Sequence, residues 1–171
     1  MQAKEIQIQS YSLTEVRTYL FAVLFAAGNI VLPQLFHLVH LGGVTWLPIY
    51  FFTLVAAYKY GRNVGLLVAL ASPIVNSLLF GMPPLVAVPA ITVKSVLLAV
   101  AASFAAQRFQ KVNLLILAGV VLFYQAVGTL VEWGILGDLE KAMQDFRIGI
   151  PGMLLQVFGG FFIIKYLIKN K

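Results

Sequence analysis

A lysine stands where a charge is costly. Residues 85–106 form an otherwise apolar run that carries one charge, Lys94, and Pro83 and Pro84 stand just before it. Twenty-two residues of helix span ~33 Å, enough to cross a bilayer core of ~30 Å. Counted from Leu85, Lys94 lies about 13 Å deep, near the midplane. An ammonium at that depth costs several kcal/mol unless it meets water, a partner or a ligand. The ligand that best offsets its desolvation is an anion, a carboxylate or phosphate. Two other readings stand beside this one. The long stem can carry the charge out to the headgroups, or Glu132 can pair with it.

Other polar side chains gather at a similar depth. Asn29, Gln34, Asn76, Gln125 and Gln156 fall in the same half of their apolar segments, and Glu132 ends one of them. Asn76, Gln125 and Gln156, with Lys94 and Glu132, are candidate contacts for a solute, and Tyr124 and Trp133 are candidates to stack on its ring. The three amides also suit plain helix–helix hydrogen bonding. Trp46 and Trp133 suit an interfacial aromatic belt. His37 and His40 are three apart but lack a nearby carboxylate partner, so they read as loop residues, and no metal site is expected.

The elements that must position these residues are membrane spans. The chain has 171 residues, of which 61% are hydrophobic and 11% charged, against ~25% charged in soluble domains. There is no cysteine, hence no disulfide and no thiolate metal site. The expected fold is an all-α integral membrane protein: one domain, a bundle of six transmembrane helices. The spans are expected at about 13–36, 44–58, 64–80, 85–106, 114–133 and 150–168, after a polar segment over 1–11. Ser12 and Glu15 fit a capping box at the start of the first span. Pro73 is expected to kink or thin the third. Leu139, Met143 and Phe146 suit one face of a short helix in the connection over 134–149.

Six spans put both termini on one side. Lys4, Arg17, Lys59, Arg62, Arg108, Lys111, Lys165, Lys169 and Lys171 fall on that side, and Lys141 and Arg147 on the other. This bias predicts a multi-pass protein of the cell membrane with both termini cytoplasmic. It also accounts for the net charge of +6 without a nucleic-acid partner. No Walker A pattern, Gly-x-Ser-x-Gly elbow or His-Glu-x-x-His helix is present. No cofactor or enzyme activity is expected, and energy for uphill transport would have to enter through a partner. Ala22 and Ala26, four apart, allow close helix approach. That approach serves a partner or another helix of the same chain.

Together these features resemble the substrate-binding S components of energy-coupling factor (ECF) vitamin transporters. Ala22-Val23-Leu24-Phe25-Ala26 is similar to the family's Ala-x-x-x-Ala motif in the first helix. The segment from Pro73 through Asn76 to Pro84 looks like the third-helix end and loop of some members. Several members carry an acidic residue in the fourth helix, near where this sequence has Lys94, and the signature patterns of the biotin, thiamine and riboflavin members are not found. The resemblance implies a high-affinity binding subunit with a pocket near the outer surface. It implies a transmembrane T component, contacted through Ala22 and Ala26, and two ATPase subunits as partners. With Lys94, the expected substrate is a small, anionic vitamin or precursor. The alternatives from other classes are a self-sufficient secondary transporter or channel, and a non-transporting scaffold subunit or a membrane enzyme without a recognisable motif.

Overall fold

A computed structural model describes residues 9–169. They form nine α-helices: α1 Val16–Phe36, α2 Gly42–Trp46, α3 Phe51–Tyr60, α4 Arg62–Phe80, α5 Val88–Phe109, α6 Leu114–Leu136, α7 Leu139–Ala142, α8 Gln144–Arg147 and α9 Ile150–Lys169. A 3-10 turn over Pro48–Tyr50 leads into α3. No strand is found among the described residues. Five helices (α1, α4, α5, α6 and α9) are long and apolar enough to cross a membrane, so the chain has the character of a multi-pass α-helical membrane protein.

The second expected span, over 44–58, is not one helix. That expectation runs through Pro48, and the chain breaks there. A residue before proline is pushed out of the right-handed helical region, and Leu47 adopts φ 45° and ψ 44°. The 3-10 turn comes next, and then the ten residues of α3, about 15 Å of helix, half a bilayer core. This half-length helix forms the centre of the bundle. Leu54, Val55, Ala56, Ala57 and Tyr58 are fully buried in succession, which no helix with a lipid-facing side can achieve. It packs on α1, α4, α5 and α9. Gly65 of α4 permits the closest approach, since a Cβ there would lie 2.4 Å from the Ala57 Cβ.

Breaking the second segment leaves the first N–H groups of α3 inside the protein, where each needs an acceptor. Asn29 supplies one. Its Oδ1 accepts from the Phe52 N–H at 3.0 Å, and its Nδ2 donates to Thr53 Oγ1 at 2.9 Å and Ser72 Oγ at 3.3 Å. Asn76 extends this polar seam, donating to the carbonyls of Asn29 and Ser72, both at 2.9 Å. Gln34 Nε2 donates to Asn76 Oδ1 at 3.3 Å. Thr53 and Ser95 bring α5 in with a hydroxyl–hydroxyl contact at 3.4 Å. Buried side-chain hydrogen bonds thus tie four helices where the apolar pattern alone would let them slide.

The remaining local expectations fare variously. The reach-back half of the capping box forms, with the Ser12 N–H donating to Glu15 Oε1 at 2.9 Å. Ser12 Oγ accepts from Thr14 N rather than Glu15 N, because the helix begins at Val16. α4 runs unbroken past Pro73, which is buried within it. The connection after α6 holds two short helices, α7 and α8, meeting at Met143.

The bundle has two chemically distinct ends. At one, Gln9 N donates to Lys59 O, Asn63 Nδ2 to Tyr11 O, and Tyr58 OH to Lys111 O, which brings the N-terminal segment, the α3–α4 junction and the α5–α6 turn together. Arg17, Lys59, Arg62, Arg108 and Lys111 belong to this basic end. Lys4 and Lys171, counted in the same bias, lie outside the described residues. The opposite, acidic end carries Glu132, Asp138, Glu140 and Asp145 beside Lys141 and Arg147.

Replacing Asn29 with Leu removes the acceptor for the Phe52 N–H and two further bonds. Its expected cost is about 1–3 kcal/mol, read as a lower midpoint in SDS-driven unfolding from bicelles. Gln34→Leu, at the half-buried edge of the seam, should cost less than Asn29→Leu. Equal midpoints for Asn29→Leu and the parent would mean that the seam does not hold α3 in place.

Candidate functional site

Lys94 is shallower than its place in the sequence implies. α5 begins at Val88, after the prolines, so the lysine is in its second turn, about 9 Å from the helix start rather than the ~13 Å counted from Leu85. Helical side chains lean toward the N-terminus, here the acidic end. The stem passes over Gly128 of α6, where a Cβ would stand 2.5 Å from Lys94 Cγ. One turn beyond that gap, Glu132 is four residues before the end of α6.

The ammonium is held by two carboxylates. Lys94 Nζ lies 2.5 Å from Glu132 Oε2 and 2.7 Å from Asp145 Oδ2. Three elements meet at one charge: α5 provides the cation, α6 one anion and α8 the other. The Lys94 side chain is 2% exposed, Glu132 17% and Asp145 15%, so the acids and not the ammonium present surface to the outside. Of the readings open for Lys94, pairing with Glu132 is the one formed.

Asp145 is positioned by the connection over 137–149. Asp138 caps α7, accepting from the N–H groups of Glu140 at 3.0 Å and Lys141 at 3.1 Å. The hydrogen bond from the Lys141 N–H holds the Asp138 carboxyl below its usual range. Since a lowered carboxyl pKa stabilises the fold above the unfolded value, this cap is retained at neutral pH and lost only as pH falls through the lowered pKa. Lys141–Asp138 at 3.3 Å and Arg147–Glu140 at 2.9 Å pair the remaining charges on the exposed side of the segment.

The triad forms part of the wall of a cavity of about 700 Å³ that opens at the acidic end. Its other walls are the end of α1 and the turn after it, with Pro33, His37 and His40, then the broken segment from Leu47 to Tyr50, and the α4–α5 connection from Gly81 to Pro84. The lining reaches no deeper than Lys94 on α5 and Glu132 on α6. Below it, Leu98, Ala99, Ala102, Ala106 and Leu117 are completely buried.

Of the seven residues expected to bind a solute, only Lys94 and Glu132 line the cavity. Asn76 is fully buried and committed to the seam. Trp133 is 45% exposed on the outside of α6, as a belt residue would be. Tyr124, Gln125 and Gln156 form a chain one layer behind the wall. Gln125 Nε2 donates to Tyr124 OH at 3.1 Å, Tyr124 OH to Gln156 Oε1 at 2.8 Å, and the Tyr124 ring packs on Tyr50, a wall residue, at 5.3 Å. Gln125 Oε1, Gln156 Nε2 and Thr129 Oγ1 are buried with no hydrogen-bond partner among the described residues. Ala22, expected to contact a T component, is packed within the chain, and Ala26 is half-buried. His37 and His40 are exposed on the cavity rim. No cluster of three or more metal-ligating His, Cys, Asp or Glu side chains exists among the described residues.

Sequence reasoning missed Asp145, Tyr50 and the histidine rim. The signals were present. Four acids face two cations over 132–147, an excess that calls for a further cation. Pro48 marks the break that turns Tyr50 inward. Comparison of the chain with protein families, curated proteins and solved structures finds no match.

Lys94→Met should be strongly destabilising, by about 3–5 kcal/mol, because it leaves two partly buried carboxylates without a counter-charge. Adding Glu132→Gln and Asp145→Asn to Lys94→Met should recover most of that loss. Thermal unfolding of the single and triple variants in one detergent checks both; a triple variant no better than the single would rule out charge balance as the cause.

Proposed function

We propose that this chain is the substrate-binding membrane subunit of an uptake system of the ECF type. It captures a small vitamin-like solute in the cavity at the acidic end and passes it on with a transmembrane T component and two ATPase subunits. The observation that carries this reading is the one-ended cavity. About 700 Å³ suits a small-molecule site, polar and charged groups border it, and tightly packed apolar side chains close it below. A conduit would need polar groups or water continuing to the basic end.

The same reading orients the molecule. The basic end lies in the cytoplasm by the positive-inside rule, with both termini there, and the cavity opens outward at the cell membrane. Coupling to the T component would use α1, whose exposed Leu20, Val23, Leu24 and Val31 offer an apolar face beside Ala26. A secondary transporter or channel is the second reading; it needs a path through the packed layer beneath Lys94. A scaffold would leave the cavity without a purpose, and an enzyme would use it to convert a solute.

The test is native mass spectrometry of the purified chain together with flux into proteoliposomes. The expected result is one small molecule per chain, released unchanged on denaturation, and no flux from the chain alone. Flux from the chain alone would favour the secondary transporter, and a chemically altered ligand the enzyme. An empty chain that also fails to co-purify with T and ATPase subunits would leave the scaffold.

A further inference from the structure

The charges around the cavity do not balance, and the sign of the imbalance bears on what the cavity accepts. At the acidic end, Glu132, Asp138, Glu140 and Asp145 face Lys94, Lys141 and Arg147. Lys141 and Arg147 are each matched one to one, by Asp138 and Glu140, away from the cavity. Lys94 alone therefore answers both Glu132 and Asp145, and the group of three carries a net charge of −1. His37 and His40 are the other basic side chains in the wall, both exposed on its rim and outside the ion group.

Hydrogen-bonding capacity points the same way. An ionised carboxylate has about four acceptor positions. Glu132 engages Lys94 through Oε2 and Asp145 through Oδ2, and their other oxygens accept nothing from the described residues. These oxygens belong to groups that retain exposure, whereas the ammonium is 2% exposed behind them. An incoming anion would meet the carboxylates first and would have to displace one of them from Lys94. An incoming cation meets unused acceptors and brings the site to neutrality.

We propose that the cavity selects a solute with a cationic group, a protonated amine, an amidine or a positively charged ring, set against Glu132 and Asp145. The rest of the solute is apolar or aromatic and lies along Pro33, Pro48, Tyr50, Met82 and Ile91. This rests on the solute-binding reading and reverses the sign expected from Lys94 alone. Lys94 is then a positioning residue: it holds two like charges close together and keeps the α8 segment over the cavity.

The test uses the full chain in lipid nanodiscs and a yeast small-molecule extract, split by ion exchange into cationic, neutral and anionic fractions at pH 7. The expected result is that only the cationic fraction raises the melting temperature, by several degrees. Asp145→Asn and Glu132→Gln should each reduce that rise by at least half, and Trp133→Leu should leave it unchanged. Stabilisation by the anionic or neutral fraction instead would overturn the charge assignment while keeping the solute-binding reading, and a larger response to anions in Asp145→Asn would restore Lys94 as an anion site. Stabilisation by no fraction would overturn both. Size-exclusion profiles identify variants that do not fold, and the comparison of fractions on the parent chain decides the sign without them.

Discussion

One ammonium group joins the three elements that form the mouth of this molecule. A lysine buried in an apolar helix is costly, and two close carboxylates can offset that cost only if all three groups are held in register. The fold supplies the register. Gly128 leaves room for the Lys94 stem on α6, Glu132 comes one turn later, and Asp145 arrives on α8, at the far end of a connection whose first turn is capped by Asp138. A short segment, held otherwise by Ala142 and Phe146, is thereby tied to α5 and α6. The cavity has a defined wall on that side because the ion group defines it.

A second constraint operates across the bundle, at the break before Pro48. Placing a half-length helix in the centre removes one lipid-facing span and opens space above it, which the Leu47–Tyr50 segment and the α4–α5 connection surround. The cost is a helix start with unsatisfied N–H groups in an apolar interior. Asn29 meets part of that cost from α1, and Asn76 and Ser72 brace the carbonyls and hydroxyls around it. The cavity and the polar seam beneath it both follow from the break at Pro48.

Much of the fold was legible in the sequence. The five long spans agree with their expected positions to within a few residues, because an uninterrupted apolar run of about twenty residues has few other uses. The second segment was misread because its hydropathy is as high as that of a span. Hydropathy reports burial, and α3 is buried in protein rather than lipid; only Pro48 distinguished the two. Lys94 was identified by its cost, but its partners were harder to find. Glu132 was in reach as the end of a span. Asp145 lies 51 residues away in a connection whose path the apolar pattern does not specify. Depth was misjudged for the same local reason: Leu85 and Val86 continue the apolar run, yet α5 begins only at Val88.

Depth alone grouped Asn76, Gln125, Gln156 and Glu132 as one polar set, and unspent hydrogen-bonding capacity separates them. Asn76 spends both of its N–H donors, on Asn29 O of α1 and on Ser72 O of its own helix, and its Oδ1 accepts from Gln34, so its amide is engaged within the fold. Gln125 and Gln156 each use half, on the two sides of Tyr124, and keep one buried atom unpaired, a state that native interiors seldom leave without water or a ligand group nearby. Glu132 and Asp145 share one cation and keep an oxygen each beside an open cavity. Acceptor capacity left over at the wall of an open cavity supports the proposed solute contact more than the mere presence of a polar residue does. By that measure the proposed solute contact falls to the pair of carboxylates, and Lys94 is the group that makes their proximity tolerable.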